Sequence, residues 1–239
     1  MEDAFIYQPP AASPLNALYG DKDVVAFDKP SGLLTNPGRG ELLADCLLSR
    51  VQQQWPTALL VHRLDMATSG VVVFALRKKA EANLKQQFAT RETKKIYIAR
   101  VAGHLDTARG DINAPLAADP MAPPRNRVDA AGKAAHTYYE VLKHDHYLGQ
   151  PSTLVALWPT TGRAHQLRVH LAWLGHPILG DALYASPSQH APRLLLHAYR
   201  LGFRQPYQQT WLELTAPLDL ALFATDPLPT LDFLAHSSS

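Results

Sequence analysis

The chain has 239 residues, of which 46% are hydrophobic, and Lys plus Arg exceed Asp plus Glu by two (23 minus 21). This length and apolar content can bury a large core, and the near-neutral balance excludes a uniformly basic or acidic chain. The single cysteine, Cys46, excludes an internal disulfide, and no apolar run approaches the length of a membrane span. Because the start Met1-Glu2-Asp3-Ala4 is unlike a secretory signal, we expect a cytoplasmic protein.

Hydrophobic periodicity, caps and turn residues predict three helices among seven strands. In chain order we expect a strand at 24–28, a helix at 42–54, a strand at 71–76, a helix at 79–90, strands at 95–102, 136–142 and 153–158, a helix at 164–174, and strands at 194–203 and 210–214. The last helix should follow the capping residues Thr160 and Thr161, and the first should bury the Cys46 thiol on its apolar face. This order predicts an α+β fold: a mixed, largely antiparallel sheet with flanking helices and loops around a central cleft.

The loop His62–Gly70 is the most informative segment. It places Asp65 on a short polar stretch directly before the apolar run that predicts a buried strand. An acid just before the N-terminal end of a rigid strand is held in a fixed position, which favours a catalytic role. The alternative is that Asp65 only caps the turn through local hydrogen bonds, as Asp beside Thr, Ser and Gly often does.

The charge is unevenly distributed along the chain. Between Arg77 and Arg100 there are eight basic residues against two acidic ones, Glu81 and Glu92, a local excess of six. Such an excess is typical of an RNA phosphate footprint, and the alternative is a solvated helix face.

Four segments resemble, in order and approximate spacing, the motifs of the RluA-type pseudouridine synthases. They are Val25–Leu34 (VAFDKPSGLL), His62–Gly70 (HRLDMATSG), Lys94–Arg100 (KKIYIAR), and Thr161–His170 (TGRAHQLRVH) running on to Asp181. The resemblance implies one catalytic domain of the predicted fold that isomerises uridine in RNA.

The resemblance also implies roles for individual residues. Asp65 matches the family's nucleophile, and Tyr97 matches a tyrosine that stacks on the target uracil and can pass a proton. Arg163 matches the family's basic residue, and we expect it to keep Asp65 ionised, because a buried carboxylate otherwise shifts toward its neutral form.

RNA contacts are expected from further basic residues. Arg63, two residues before Asp65, can fill the stack that a flipped base leaves, while Lys94, Lys95 and Arg168 are candidates for phosphate contacts. The isomerisation involves no net redox change and no external group, so we expect no cofactor. We also expect no metal, because no HExxH-like pair or cysteine partner accompanies the histidines His62, His165, His170, His176 and His197.

The likeness is greatest to the family's short members, especially at Val61–Val71 and Ala191–Ala198. It implies dual specificity for a transfer RNA anticodon stem-loop and a large-subunit ribosomal RNA hairpin loop. We expect residues 1–20 to form an extension with no separate RNA-binding module, 21–217 the catalytic domain, and 218–239 a partly loose tail. RNA is the expected partner, with no DNA and no membrane, and a monomer is expected.

Three alternatives remain open. The first is a sibling enzyme with another ribosomal or transfer RNA target. The second is a catalytically silent RNA-binding protein on the same fold, although binding alone requires none of Asp65, Tyr97 and Arg163. The third, a carboxylate-based glycosidase, lacks the second acid expected near Asp65.

Overall fold

The computed structural model describes residues 7–11, 14–223 and 229. Within them, ten strands form one sheet and two form a separate hairpin. The strands are β1 Ala17–Gly20, β2 Val24–Lys29, β3 Leu59–Leu60, β4 Ser69–Ala75, β5 Lys94–Ala102, β6 Arg109–Asn113, β7 Leu116–Ala118, β8 Asn126–Val128, β9 His136–Tyr147, β10 Gln150–Pro159, β11 Leu196–Arg204 and β12 Trp211–Thr215. The sheet runs β1-β2-β4-β11-β5-β10-β9-β6, with β3 on β4 and β12 on β11, while β7 and β8 form the hairpin.

All strand pairs in the described chain are antiparallel except β4 with β11. The α-helices are α1 Leu47–Gln52, α2 Lys78–Ala89, α3 Gln166–Trp173 and α4 Leu220–Phe223, and two 3-10 turns span Glu41–Leu43 and Pro187–Gln189. The predicted mixed, largely antiparallel α+β architecture is confirmed. None of the helices in the described ranges is long and apolar enough to cross a membrane.

The continuous apolar run of β4 follows from burial on both faces of the sheet. Val71 and Val73 pack under α2, in a cluster that includes Leu84. Successive side chains point to opposite faces of a strand, so Val72 and Phe74 pack on the other side, in the cluster of α1. A strand covered on both faces is rigid, and the loop before β4 is therefore well anchored at its C-terminal end.

Several predicted boundaries are wrong. The helix expected at 42–54 is a 3-10 turn followed by α1, because Cys46 adopts an extended conformation and its Sγ accepts the Ser49 N–H, which starts the helix there. The thiol is buried as predicted. The short strands β1, β3, β6, β7 and β8 were not predicted.

The packed domain extends beyond both predicted boundaries. Strand β1, inside the range expected to be an extension, pairs with β2, and the Tyr7 hydroxyl donates to the Asp45 carbonyl at 2.9 Å. Phe223, inside the range expected to be a tail, is fully buried in the main core. The rest of that predicted tail, 224–228 and 230–239, lies outside the described residues.

Gly70 is required where the loop enters β4. The parallel pairing brings its backbone against Ala198, its φ is +115°, and a Cβ there would lie 2.2 Å from the Ala198 carbonyl oxygen. We expect Gly70→Ala to lower the free energy of unfolding by about 3 kcal/mol, from the clash and the positive φ together. Urea denaturation measures this. Gly20→Ala, where a Cβ would meet nothing within 4 Å, is the control and should change it by under about 0.5 kcal/mol.

Candidate active site

A cleft lies between the loop before β4, strand β5 and the start of α3. Six of the seven predicted site residues line it: Arg63, Asp65, Lys95, Tyr97, Arg163 and Arg168. These residues come from three segments far apart in sequence, so the fold is what brings them together.

Lys94 is the exception. Adjacent residues of a strand face opposite sides, and the Lys94 ammonium lies 5.8 Å from the centroid of the Trp211 ring, whereas Lys95 faces the cleft. Lys94 therefore lies outside this cleft, and its contact with an RNA phosphate stays a prediction.

The segment that follows β2 holds the loop that carries Asp65 in place. The Ser31 hydroxyl donates to the Ala67 carbonyl at 2.6 Å. The Thr35 hydroxyl donates to the Leu64 carbonyl at 2.8 Å and accepts the Leu64 N–H at 3.2 Å. These bonds fix the backbone on both sides of Asp65, which explains in physical terms why the first motif accompanies the second.

Lys29 holds the same loop from inside the protein. Its buried Nζ donates to the carbonyls of Pro30, Leu33 and Met66, at 2.9, 2.7 and 3.0 Å. Burial lowers the pKa of Lys29 to about 7, against the opposing charges of Asp65 and Asp28. Three carbonyl acceptors match the three N–H donors of an ammonium, so the charged form is the one that holds the loop.

Asp65 forms an ion pair with Arg168. Arg168 Nη1 lies 3.2 Å from Asp65 Oδ2, and the guanidinium also binds Asp181 through two hydrogen bonds of 2.7 Å each. The Asp181 side chain is fully buried and that of Arg168 is 7% exposed, whereas that of Asp65 is 21% exposed. Burial lowers the pKa of Arg168, but Asp181 and then Asp65 outweigh this and raise it above its usual value.

The prediction that Arg163 is the cation paired with Asp65 is therefore wrong, because Arg168 occupies that place. The phosphate contact predicted for Arg168 is wrong for the same reason. Helix α3 begins at Gln166 rather than 164, so Arg163 lies in the preceding turn, exposed, with Nε donating to the Ala134 carbonyl at 3.0 Å. Arg168 falls in the first turn of α3 and points into the cleft. Asp181, which the sequence did not single out, holds it there.

The ion pair also bears on the alternative that Asp65 merely caps a turn. The Thr68 N–H donates to the backbone carbonyl of Asp65 at 3.1 Å, so the turn is closed by main-chain atoms. The carboxylate instead binds a residue 103 positions away. The arrangement favours a partly exposed, charge-stabilised acid over a local cap.

Tyr97 lies on β5 in the wall of the cleft. Its neighbours across the sheet are Leu157 on β10 and Ala198 on β11. Burial, and then the negative charge of Asp65, raise the pKa of Tyr97. The residue is therefore a neutral phenol that offers an aromatic face and one O–H group to whatever enters.

A second, larger cavity of about 430 Å³ adjoins the cleft and shares Arg63, Lys95, Tyr97 and Arg163 with it. Together with Arg91 it carries four cationic side chains, and no carboxylate is among its lining residues. Burial, and then the charge of Arg91, lower the pKa of Lys95 to about 8. Such a cavity suits an anion.

His62 is a structural residue beside this cavity. Its Nε2 accepts the Val73 N–H at 3.0 Å, and its ring stacks on Phe88 at 4.5 Å. Burial, and then Lys95, lower the pKa of His62 to about 3, while burial lowers that of His197 to about 4. Protonation of His62 at Nε2 would remove the acceptor for Val73.

These two histidines should make the protein sensitive to acid. Below pH 6.5 these two histidines bind protons in the unfolded chain, whereas in the folded chain they stay neutral down to about pH 3 for His62 and about pH 4 for His197. The free energy of unfolding therefore falls as the pH falls through this window. We expect His62→Gln, whose amide oxygen can accept the Val73 N–H, to reduce this slope by up to about 1.4 kcal/mol per pH unit. Urea denaturation between pH 6 and 4.5 measures it. The exposed His190→Gln is the control, and equal slopes in all three proteins would contradict the account.

Comparisons with known proteins identify the family of the chain. The model of the family described as RNA pseudouridylate synthase matches residues 23–173. The chain is 49% identical over 216 residues to the dual-specificity RNA pseudouridine synthase RluA of Escherichia coli (strain K12), covering 89% of this chain and 97% of the relative. It is 52% identical over 192 residues to the RluA of Yersinia pestis, covering 79% and 92%.

Solved structures show the same architecture. Human RNA pseudouridylate synthase domain containing 1 superimposes with a TM-score of 0.77 at 28% identity, covering 99% of this chain and 97% of that chain. The human domain-containing 4 protein gives 0.69 at 27% identity, covering 87% and 90%. On these matches, the chain belongs to the RNA pseudouridylate synthase family, and within it to the RluA type.

Proposed function

We propose that this chain, an RNA pseudouridine synthase, uses Asp65 as its nucleophile and acts on uridines in structured RNA. The observation that carries the proposal is the ion pair of Asp65 with Arg168, which places a guanidinium against a partly exposed carboxylate in the cleft. A silent RNA-binding protein has no need of this arrangement.

The reaction is balanced without any added reagent. The bond from C1′ to N1 of the uridine breaks, the base turns, a bond from C1′ to C5 forms, C5 loses a proton and N1 gains one. An ionised Asp65 can attack the sugar, attack the base, or assist a glycal-type elimination, and each route begins from the carboxylate. The reaction calls for neither a metal nor a cofactor.

The neighbouring residues supply the remaining roles. Arg168 stabilises the charge of Asp65, the role assigned to Arg163 by the sequence. Tyr97 presents its ring to the uracil and its neutral O–H for proton transfer as the base re-aromatises. Arg163, exposed at the rim, contacts RNA.

The cationic cavity beside the cleft receives the RNA backbone. A target uridine must leave its stack to reach Asp65, and its flanking phosphates then need positive partners. Arg63, Arg91, Lys95 and Arg163 provide them from one cavity. The flat guanidinium of Arg63 can also fill the space that the base vacates.

Lys95 gives this assignment a quantitative test. We expect Lys95→Met to weaken RNA binding and to reduce the slope of log K against log salt by about 0.7 to 0.9, the effect of one lost phosphate contact. Filter binding between about 50 and about 300 mM salt measures the slope. Lys79→Met, on the exposed face of α2, is the control, and an unchanged slope for Lys95→Met would remove Lys95 from the phosphate site.

The names of the related proteins indicate how many kinds of RNA this chain acts on. The curated proteins that match most of this chain are called dual-specificity enzymes. We therefore propose two targets, a transfer RNA anticodon stem-loop and a large-subunit ribosomal RNA hairpin loop, each read as a short folded loop.

Tritium release tests the activity and the specificity together. Each hairpin is made with tritium at C5 of its uridines and incubated with the purified protein and a chelator. We expect release of tritium from both hairpins, matched by pseudouridine formation. Release from one hairpin alone would contradict dual specificity, and no release from either would contradict the assigned targets.

A further inference from the structure

His165 occupies an unusual position between Asp65 and Tyr184. It precedes the first residue of α3 in a left-handed conformation, with φ 56° and ψ 16°. Its Nδ1 lies 2.8 Å from the Tyr184 hydroxyl, and its Nε2 lies 4.0 Å from Asp65 Oδ2. Left-handed backbone is costly for a residue with a Cβ and is often retained at functional sites.

Tyr184 determines which ring nitrogen carries the proton. The Tyr184 hydroxyl oxygen accepts the backbone N–H of Asn126 at 2.8 Å, which leaves its O–H free to donate to His165 Nδ1. The guanidinium groups of Arg125 and Arg168 each lie 5.2 Å from the centre of the Tyr184 ring and hold it in place. A neutral His165 then bears its proton on Nε2, the atom that faces Asp65.

The opposite tautomer is disfavoured by the same geometry. A proton on Nδ1 would leave the lone pair of Nε2 pointing toward a carboxylate oxygen, which repels it. The charged groups around His165 are Asp65, Arg168, Asp181 and Arg63, and burial, opposed by Asp65, lowers the pKa of its imidazole. The neutral ring with its proton on Nε2 is therefore the form present at neutral pH.

The two donors that face Asp65 both lie nearest to the same carboxylate oxygen, Oδ2. Arg168 Nη1 lies 3.2 Å from Oδ2, and His165 Nε2 lies 4.0 Å from Oδ2. Among the described residues, Oδ1 accepts no hydrogen bond. One carboxylate oxygen is held by the protein and the other is left to the substrate.

We propose that His165 is a positioning residue: its Nε2–H, oriented by Tyr184, joins Arg168 in holding Oδ2, so that Oδ1 is the atom presented to the uridine. The inference rests on the proposed role of Asp65 as the reacting group. The 4.0 Å separation exceeds a hydrogen bond, and such contacts in empty active sites commonly shorten when substrate binds.

Two substitutions separate positioning from a structural role. The amide of Gln reaches the place of Nε2, so His165→Gln keeps a donor toward Asp65 and loses the contact with Tyr184. The amide of Asn reaches the place of Nδ1, and Asn tolerates left-handed backbone, so His165→Asn keeps the Tyr184 contact and loses the donor. The readouts are the single-turnover rate on a uridine hairpin, RNA affinity and thermal unfolding.

We expect His165→Gln to retain the rate within about threefold, and His165→Asn to lose about tenfold to thirtyfold, the usual effect of one donor to a charged group. RNA affinity and the melting temperature should stay unchanged in His165→Asn. Full activity of the Asn variant, or equal losses in both variants, would overturn the inference. Because wild-type protein and Asp65→Asn are assayed beside them, failure of this proposal is distinguishable from failure of the proposed function: only the latter would leave Asp65→Asn active.

Discussion

Asp65→Asn is expected to abolish pseudouridine formation, by about 10⁴-fold or more, while the protein remains folded and binds RNA. The substitution preserves the shape of the side chain, and its amide oxygen can still accept from Arg168, but it removes the charge on which nucleophilic attack depends. Single-turnover rates on a hairpin substrate, filter binding and thermal unfolding measure the three properties separately.

A capping role for Asp65 predicts the opposite pattern. The variant would then lose roughly 1 kcal/mol of stability and keep most of its activity. Asp106→Asn, at an exposed position, is the matched control and should leave all three properties unchanged. Pseudouridine formation by pure Asp65→Asn at even a tenth of the wild-type rate, a margin of about 1.4 kcal/mol, would contradict the nucleophile assignment.

Arg168→Met should reduce both activity and stability. The change leaves the fully buried Asp181 without its partner, and breaking a buried ion pair commonly costs about 3 to 5 kcal/mol. Asp65 also loses its nearest cation, so the negative charge on which its reaction depends is no longer stabilised. We expect the rate to fall by about 100-fold or more.

Arg163→Met separates this effect from the general loss of a cation. Arg163 is exposed and its Nε donates to a carbonyl, so its removal should leave the single-turnover rate within about threefold and weaken RNA binding modestly. The comparison uses single-turnover rates of the two variants and urea denaturation. If Arg163→Met lowered the rate by about 100-fold and Arg168→Met did not, the ion pair of Asp65 with Arg168 would not be the catalytic one.

Strong local patterns made much of the fold predictable. The strand expected at 71–76 is β4, Ser69–Ala75, because a continuous apolar run bounded by turn residues has few alternatives. The helix expected at 79–90 is α2, Lys78–Ala89. The short strands β6 to β8 escaped prediction, because segments such as Arg109–Asn113 have little alternation and owe their conformation to pairing with β9.

The partner of Asp65 was missed because the motif Thr161–His170 contains two arginines, Arg163 and Arg168, and the resemblance was read onto the first. Thr160 and Thr161 are good capping residues, and they indicated a start at 164. In the structure Thr161 donates instead to the Gln166 side chain, which also accepts the Arg163 N–H, so the turn is closed before the helix begins. Both arginines line the cleft, but only Arg168, inside the helix, donates to Asp65.

The hydrogen-bond network around Asp65 joins residues that are far apart in sequence, and no local pattern predicts it. Asp181 lies 13 residues from Arg168, and Tyr184 lies 19 residues from His165. Neither spacing is periodic in a helix or strand. The left-handed conformation of His165, which turns its ring toward Asp65, is likewise visible only in the folded chain.

The most direct test of the account is a map of pseudouridine in cellular RNA. Three strains are compared: one with the wild-type chain, one without it, and one that carries Asp65→Asn at equal protein level. The account predicts that a transfer RNA anticodon-loop uridine and a ribosomal hairpin-loop uridine are modified in the first strain and unmodified in the other two. Identical maps in all three strains, or modification restored by Asp65→Asn, would contradict it.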